Sequence, residues 1–315
     1  MAGIVVASTN GNVGIEASIE VLRSGGSAVD AIVAGIACVE ANPEDHSVGY
    51  SGLPNLLGEV ELDASIMEGA GLRAGSVGAL HGHQDAIALA KQVMETLPHV
   101  LIVGAGADRL ASEVGLPASD LLTPEATAIW KQRFADFGTG EPGTRDAYYT
   151  RIADIVGTAT SDPQKVEDLH GTVNFIARDG RGTIACGVST SGWAWKYPGR
   201  LGDSPIIGAG NYADNRWGAA ACTGRGEMAQ RCCTSHSVVT FMRFGMSVEE
   251  ALRQAMVDLR SLDDPFRSEM NIIALDRDGK PSAASSALDK TYIYMSTEMN
   301  AFVEEGRIPV PYEGE

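Results

Sequence analysis

Apolar positions along the chain fall into short strand-like runs separated by stretches of helical spacing. Residues 3–8, GIVVAS, form a continuous apolar run that predicts a buried strand, and residues 13–24 and 27–40 repeat apolar side chains every three or four positions. These two segments predict helices, parted by the Gly25-Gly26 break. The runs LDASIME and GSVGAL then predict strands, followed by a helix over 84–96, a buried strand over 99–103 and a helix over 107–114. From about 137 to 168 the periodicity lapses into Gly, Thr, Asp and Pro, which reads as a connecting segment. Alternation returns at TVNFIAR, turns at Asp179-Gly-Arg-Gly182 and resumes in TIACGV, the pattern of a hairpin. One helix is predicted over 226–244 and another over 248–259. A second hairpin, MNIIALDRDGKPSAAS, turns at Asp278-Gly279. Strands covered by helices imply layered packing of an α+β kind.

Composition narrows the partners rather than the fold. A formal net charge of -17 over 315 residues argues against nucleic acid or an anionic membrane surface, since both are polyanions. The opening MAGIVVASTN has neither a basic leader nor an apolar run of spanning length. The five cysteines, Cys38, Cys186, Cys222, Cys232 and Cys233, are odd in number and sit mostly in apolar context, so they are expected to pack as reduced thiols in a cytoplasmic setting. His81-Gly-His83 lacks further His or Cys at ligand spacing and reads as a solvated loop, so no metal or other cofactor is expected.

Chemistry concentrates at Thr172. A hydroxyl inside a chain has no adjacent base, but a cut before Thr172 would supply its own α-amine, whose pKa of about 7.7 to 8.0 suits proton transfer near neutrality. The strand-like run behind it would hold the group rigidly. Thr190 closes the same hairpin. Three glycine-rich segments follow, GRLGDSP (199–205), GAGNYAD (208–214) and AACTGRGE (220–227), where backbone can approach a ligand closely.

These segments, together with SGGSAVDAI (24–32), HSVGYSGLPN (46–55), LDASIMEG (62–69), PHVLIVG (98–104) and HGTV (170–173), give the chain its resemblance. It resembles, nearly end to end, the glycosylasparaginases and plant-type asparaginases, which are N-terminal nucleophile hydrolases. The resemblance implies a four-layer αββα sandwich and self-cleavage into an α subunit, 1–171, and a β subunit, 172–315, with a maturation linker over about 137–171. The fragments would stay associated as one folded unit, and two such units would pair as a dimer. It further implies that Thr172 is the nucleophile, that Thr190 hydrogen-bonds it, and that Arg200 and Asp203 hold the α-carboxylate and α-amine of a small asparagine derivative. The planar guanidinium and the carboxylate three residues on suit those two charges. Thr223 and the N–H of Gly224 would form the oxyanion hole, and Ser47 the rear wall of the substrate site.

Two positions depart from the glycosylasparaginase pattern. Gly171 stands where that pattern has Asp, as in the asparaginase branch. Asn10 stands where it has a tryptophan of the substrate pocket. The reading is therefore an autoprocessed amide hydrolase, N4-(β-N-acetylglucosaminyl)-L-asparaginase first, with L-asparaginase or isoaspartyl dipeptidase as the alternative. An unprocessed amino-acid-binding relative without turnover is the reading from a different class.

Overall fold

The computed structural model describes residues 2–134 and 171–312. Strand β1 (Ile4–Ser8) leads through a short 3-10 turn, Thr9–Val13, into helices α1 (Ile15–Arg23) and α2 (Ala28–Glu40), separated at the expected glycine pair. Then come β2 (Leu62–Glu68), β3 (Arg73–Leu80), α3 (Ala86–Thr96), β4 (Leu101–Val103), α4 (Ala105–Glu113) and α5 (Pro124–Phe134). In the second described stretch, β5 (Val173–Arg178) and β6 (Ile184–Thr190) form the predicted hairpin. They are followed by β7 (Asn211–Asp214), β8 (Gly218–Gly224), α6 (Gly226–Cys232), α7 (Thr234–Arg243), α8 (Val248–Arg260), β9 (Met270–Asp276) and β10 (Pro281–Ser285). Strands β11 (Thr291–Ser296), β12 (Val303–Gly306) and β13 (Ile308–Pro309) complete the described part.

The strands make two sheets, one of eight in the order β12-β11-β1-β5-β6-β2-β3-β4 and one of five in the order β13-β10-β9-β8-β7. Both faces of the central strands are buried, with the two-residue period deciding which core each side chain enters. In β1 and β5, Val5, Ala7, Val173, Phe175 and Ala177 pack with Ile15, Ile19, Ile32, Ile36 and Ile87 of α1 to α3. The alternate residues, Ile4, Val6 and Ile176, join Ala219, Ala221, Ile273 and Leu275 of the smaller sheet. On that sheet's other register, Ala220, Cys222, Ile272 and Ala274 pack with Met228, Val238, Leu252 and Met256 of α6 to α8. This two-sided burial is why the strands read as continuous apolar runs rather than as clean alternation.

Several sequence expectations need correction. The helix predicted over 226–244 breaks at Cys233, whose φ of 47° is left-handed, so α6 and α7 are separate and the Cys233 side chain is exposed instead of lying in a core. The apolar run 99–103 forms only a three-residue edge strand, with Leu101 and Val103 38% and 45% exposed. The 81–83 segment is a loop but only partly solvated: His83 is buried against the Pro117 carbonyl, and the half-exposed His81 lies between Asp108, at 3.3 Å, and Glu61, at 3.7 Å. All five cysteines are free. Apart from Gly171, the maturation linker lies outside the described residues. Among the described residues, no helix is long and apolar enough to cross a membrane.

Candidate active site

Thr172 stands immediately before β5, and Thr190 is the last residue of β6. The hairpin register pairs Val173 with Ser189, so one further step sets Thr172 beside Thr190, with their hydroxyl oxygens 3.2 Å apart. Each hydroxyl also lies 2.7 Å from the Gly171 carbonyl oxygen. The Gly192 N–H donates to Thr190 Oγ1 at 2.9 Å and fixes that hydroxyl from the far side. Gly171 itself has no room for a side chain: a Cβ there would stand 1.8 Å from Ser47 Oγ and 2.0 Å from Ser47 Cβ.

The loop between β6 and β7 supplies the charged half. Its approach is braced from below by Glu61, which is 3% exposed and accepts the Gly199 N–H at 2.8 Å, while Lys196 Nζ donates to the Glu61 carbonyl at 3.1 Å. Burial pulls the Glu61 carboxyl upward, but the His81 contact, the Lys196 charge and the Gly199 N–H outweigh it and hold Glu61 below its ordinary value. Gln230 of α6 clamps the loop again, donating to the carbonyls of Leu201 and Gly202 at 3.2 and 2.6 Å.

Between these braces Arg200 presents its guanidinium 5.6 Å from the Trp193 ring centre, a cation–π distance. Its Nε and Nη2 both reach Glu227 Oε1, at 3.0 and 2.9 Å. Glu227 sits in the first turn of α6, where the helix dipole favours an anion. Burial raises Glu227, yet the charge of Arg200 and hydrogen bonds to its own backbone and to Arg200, with Arg225 behind, leave it below the usual range. Asp203 has the opposite fate. It is 5% exposed, its Oδ2 is buried without a hydrogen-bond partner, and burial pushes its carboxyl up to about 7. Arg200 opposes that rise, while the negative charges of Glu227 and Asp63 add to it.

These groups meet around a small cleft lined by Gly171, Thr172, Thr190, Gly192, Trp193, Arg200, Gly202, Asp203, Ser204, Gly224 and Gly226. Gly224 ends β8 with φ of 116°, and a Cβ there would stand 2.2 Å from the Glu269 carbonyl oxygen, so only glycine fits. Of the residues singled out from sequence, Gly171, Thr172, Thr190, Arg200, Asp203 and Gly224 line the cleft. Thr223 precedes Gly224 but does not line it, and Ser47 lies behind Gly171. Asn10 is also outside the lining, hydrogen-bonded to Ser8 and Asp45.

The whole arrangement falls inside a single match: a family model described as Asparaginase covers residues 6–303. The chain belongs to the asparaginase family. A N(4)-(Beta-N-acetylglucosaminyl)-L-asparaginase of Elizabethkingia miricola is 38% identical over 248 residues, 78% of this chain and 66% of that protein. A plant-type L-asparaginase of Pyrococcus horikoshii is 35% identical over 276 residues, 87% of this chain and 85% of the relative. A second plant-type L-asparaginase, from Pyrococcus abyssi, is 34% identical over 275 residues, with the same two shares. In this asparaginase-family cleft, sequence reasoning passed over Glu227 and Trp193. Glu227 closes the AACTGRGE segment, and a glutamate three residues past Gly224, at a helix start, is the signal that could have marked the Arg200 partner.

Proposed function

We propose that the chain is an autoprocessed amide hydrolase that cleaves the side-chain amide of N4-(β-N-acetylglucosaminyl)-L-asparagine. The observation that carries the reading is the threonine pair on one carbonyl: Thr172 and Thr190 each lie 2.7 Å from the Gly171 oxygen, at the mouth of a cleft holding Arg200 and Asp203. Cleavage between Gly171 and Thr172 gives the α subunit, 1–171, and the β subunit, 172–315, held together as one unit and paired into a dimer. The three core clusters are consistent with the four-layer αββα sandwich of the N-terminal nucleophile hydrolases.

In the mature site Thr172 Oγ attacks the amide carbon and its α-amine takes the proton, then returns it to the leaving amine; water releases aspartate from the β-aspartyl ester by the same route. Thr190 orients the nucleophile. Arg200 holds the substrate α-carboxylate and Asp203 the α-ammonium. Thr223 and the Gly224 N–H receive the oxyanion, a contribution worth roughly a hundredfold to a thousandfold per donor. Ser47, uncovered once Gly171 leaves, forms the rear wall. No metal or cofactor enters this scheme.

A second reading, L-asparaginase or isoaspartyl dipeptidase, is favoured by Gly171, which sits where the glycosylasparaginase pattern has Asp, and by the plant-type relatives, which the chain matches over 85% of their length. Intact mass tests maturation: cleavage before Thr172 leaves fragments of 171 and 144 residues out of 315. Persistence of the full-length chain alongside hydrolysis would refute the free-amine mechanism. On processed enzyme, kcat/KM for glycosylasparagine, L-asparagine and a β-aspartyl dipeptide separates the two readings; preference for either small leaving group overturns the first.

A further inference from the structure

The side chain of Asn10 belongs to a line of hydrogen bonds that ends against the Gly171–Thr172 bond. It begins on the strand that carries the nucleophile, where the Asn174 N–H donates to Ser8 Oγ at 3.1 Å. Ser8 Oγ donates in turn to Asn10 Oδ1 at 2.7 Å. Asn10 Nδ2 donates to Asp45 Oδ2 at 3.0 Å. The other carboxylate oxygen, Asp45 Oδ1, accepts both the Ser47 N–H, at 2.9 Å, and the Ser47 hydroxyl. With both oxygens engaged, the Asp45 carboxylate is fixed, and through it the Ser47 side chain. That side chain fills the space where a Cβ on Gly171 would be, and the Ser47 carbonyl accepts the N–H of Ser191, next to Thr190, at 2.8 Å.

We propose that Asn10 is a positioning residue for self-cleavage: through Asp45 it holds Ser47 against Gly171 and so keeps the Gly171 carbonyl over the Thr172 hydroxyl. This rests on the reading that the chain cuts itself before Thr172. In that step the Thr172 Oγ–C bond to Gly171 forms, the C–N bond of the same peptide breaks, and the hydroxyl proton passes to the departing nitrogen. Water then adds to the ester, leaving a Gly171 carboxylate and restoring the Thr172 hydroxyl beside a free α-amine. Close placement of oxygen and carbonyl governs such a rearrangement, because small misplacements of the attacking atom are costly in rate. Asn10 serves the line through polarity: its amide oxygen accepts from Ser8 and its amide nitrogen donates to Asp45, an assignment no apolar side chain can fill.

The test exploits that polarity. Precursor of the full chain is followed by denaturing gel and intact mass for the wild type, Asn10→Ala, Asn10→Asp, Asp45→Asn and the double variant Asn10→Asp/Asp45→Asn. Loss of one hydrogen bond to a charged group should slow cleavage by about ten-fold to a hundred-fold in each single variant. The double variant restores donor to acceptor, with the amide now at position 45 donating to the carboxylate now at position 10, and should recover most of the rate. Once matured, Asn10→Ala should keep KM and kcat on L-asparagine within about two-fold of wild type, because its side chain lies off the cleft. Wild-type rates in the singles, or a double variant as slow as they are, overturns the proposal while leaving self-cleavage intact. A changed KM with unchanged cleavage returns Asn10 to the substrate pocket and also overturns it. A wild-type chain that never cleaves overturns the maturation reading and this proposal together.

Discussion

Asp203 offers a measurable conflict between stability and binding. Its carboxyl is buried, one oxygen has no hydrogen-bond partner, and the group titrates at about 7 instead of near 3.8. For a carboxyl raised on folding, the unfolded chain loses its proton first. The stabilising contribution is therefore complete below about 3.8, shrinks as pH rises and is gone above about 7. At 1.36 kcal/mol per pH unit the full span is roughly 4 kcal/mol, of which roughly 2 to 3 kcal/mol falls between pH 5 and 7.5. An amide at this position keeps the shape and never ionises, so it escapes that loss. Relative to wild type, Asp203→Asn should gain stability between pH 5 and 7.5, by roughly 5 to 10 °C in Tm at about 2 to 4 °C per kcal/mol.

The same substitution should abolish what the charge is there to do. On the proposed role, a substrate ammonium meets an ionised Asp203, so wild-type affinity for L-aspartate should strengthen as pH rises through about 7. In the variant, affinity should be weak and flat with pH. Scanning calorimetry of ligand-free, fully processed protein at the two pH values, with binding titrations in parallel, decides the matter. A Tm difference that is the same at pH 5 and pH 7.5 would show that Asp203 is already ionised in the empty cleft, and the argument from burial would fail.

Two further substitutions probe the surroundings of that carboxyl. Glu227→Gln removes a negative charge that raises Asp203 and releases Arg200 toward it, so the pH midpoint for L-aspartate binding should move below that of wild type; titration at several pH values reads it, and an unmoved midpoint counts against the coupling. Gly224→Ala meets the Glu269 carbonyl at 2.2 Å and forces an L side chain to φ of 116°, so at least a tenfold loss of kcat, or failure to accumulate folded protein, is expected from strain of roughly 1 to 3 kcal/mol or more. Near wild-type kcat with an unchanged melting profile would place the oxyanion donor elsewhere.

The sequence made the hairpin legible because its two strands are local, strongly apolar and meet at an Asp-Gly-rich turn; the placement of Thr172 beside Thr190 follows from that register alone. That Arg200 and Asp203 would share a cleft with Thr172 was legible as motif, but their partners were not. Arg200 meets Glu227 from 27 positions away, and Glu61 braces Gly199 across 138, distances at which no periodicity carries information. The break at Cys233 was hidden for a related reason: both flanks have helical spacing, and only the packing of α6 against the 201–202 loop and of α7 against β8 separates them. Asn10 shows the limit of reasoning by substitution. The resemblance says which residue is missing there, whereas the partners of the residue present, Ser8 and Asp45, emerge only when β1 and the 42–47 turn come together.

Charge pairing across the cleft explains why one carboxylate stays low and the other rises. Arg200 carries one positive charge, and Glu227 takes it at 2.9 to 3.0 Å with two nitrogens of the same edge. Asp203, three residues along a tightly braced loop, feels that cation at a distance but hydrogen-bonds nothing with Oδ2. The site thus holds one satisfied ion pair and one acid short of a counter-charge. A zwitterionic amino acid repairs both sides at once, since its ammonium supplies the charge Asp203 lacks and its carboxylate can share the open edge of a guanidinium that Glu227 keeps in place. An N-acylated analogue brings the carboxylate without the ammonium and leaves Asp203 buried and unpaired, the costlier of the two omissions because that carboxylate is shielded from solvent. If Arg200 and Asp203 hold the headgroup as proposed, selectivity for a free α-amine is the expected consequence of these electrostatics, whatever departs from the far end of the substrate.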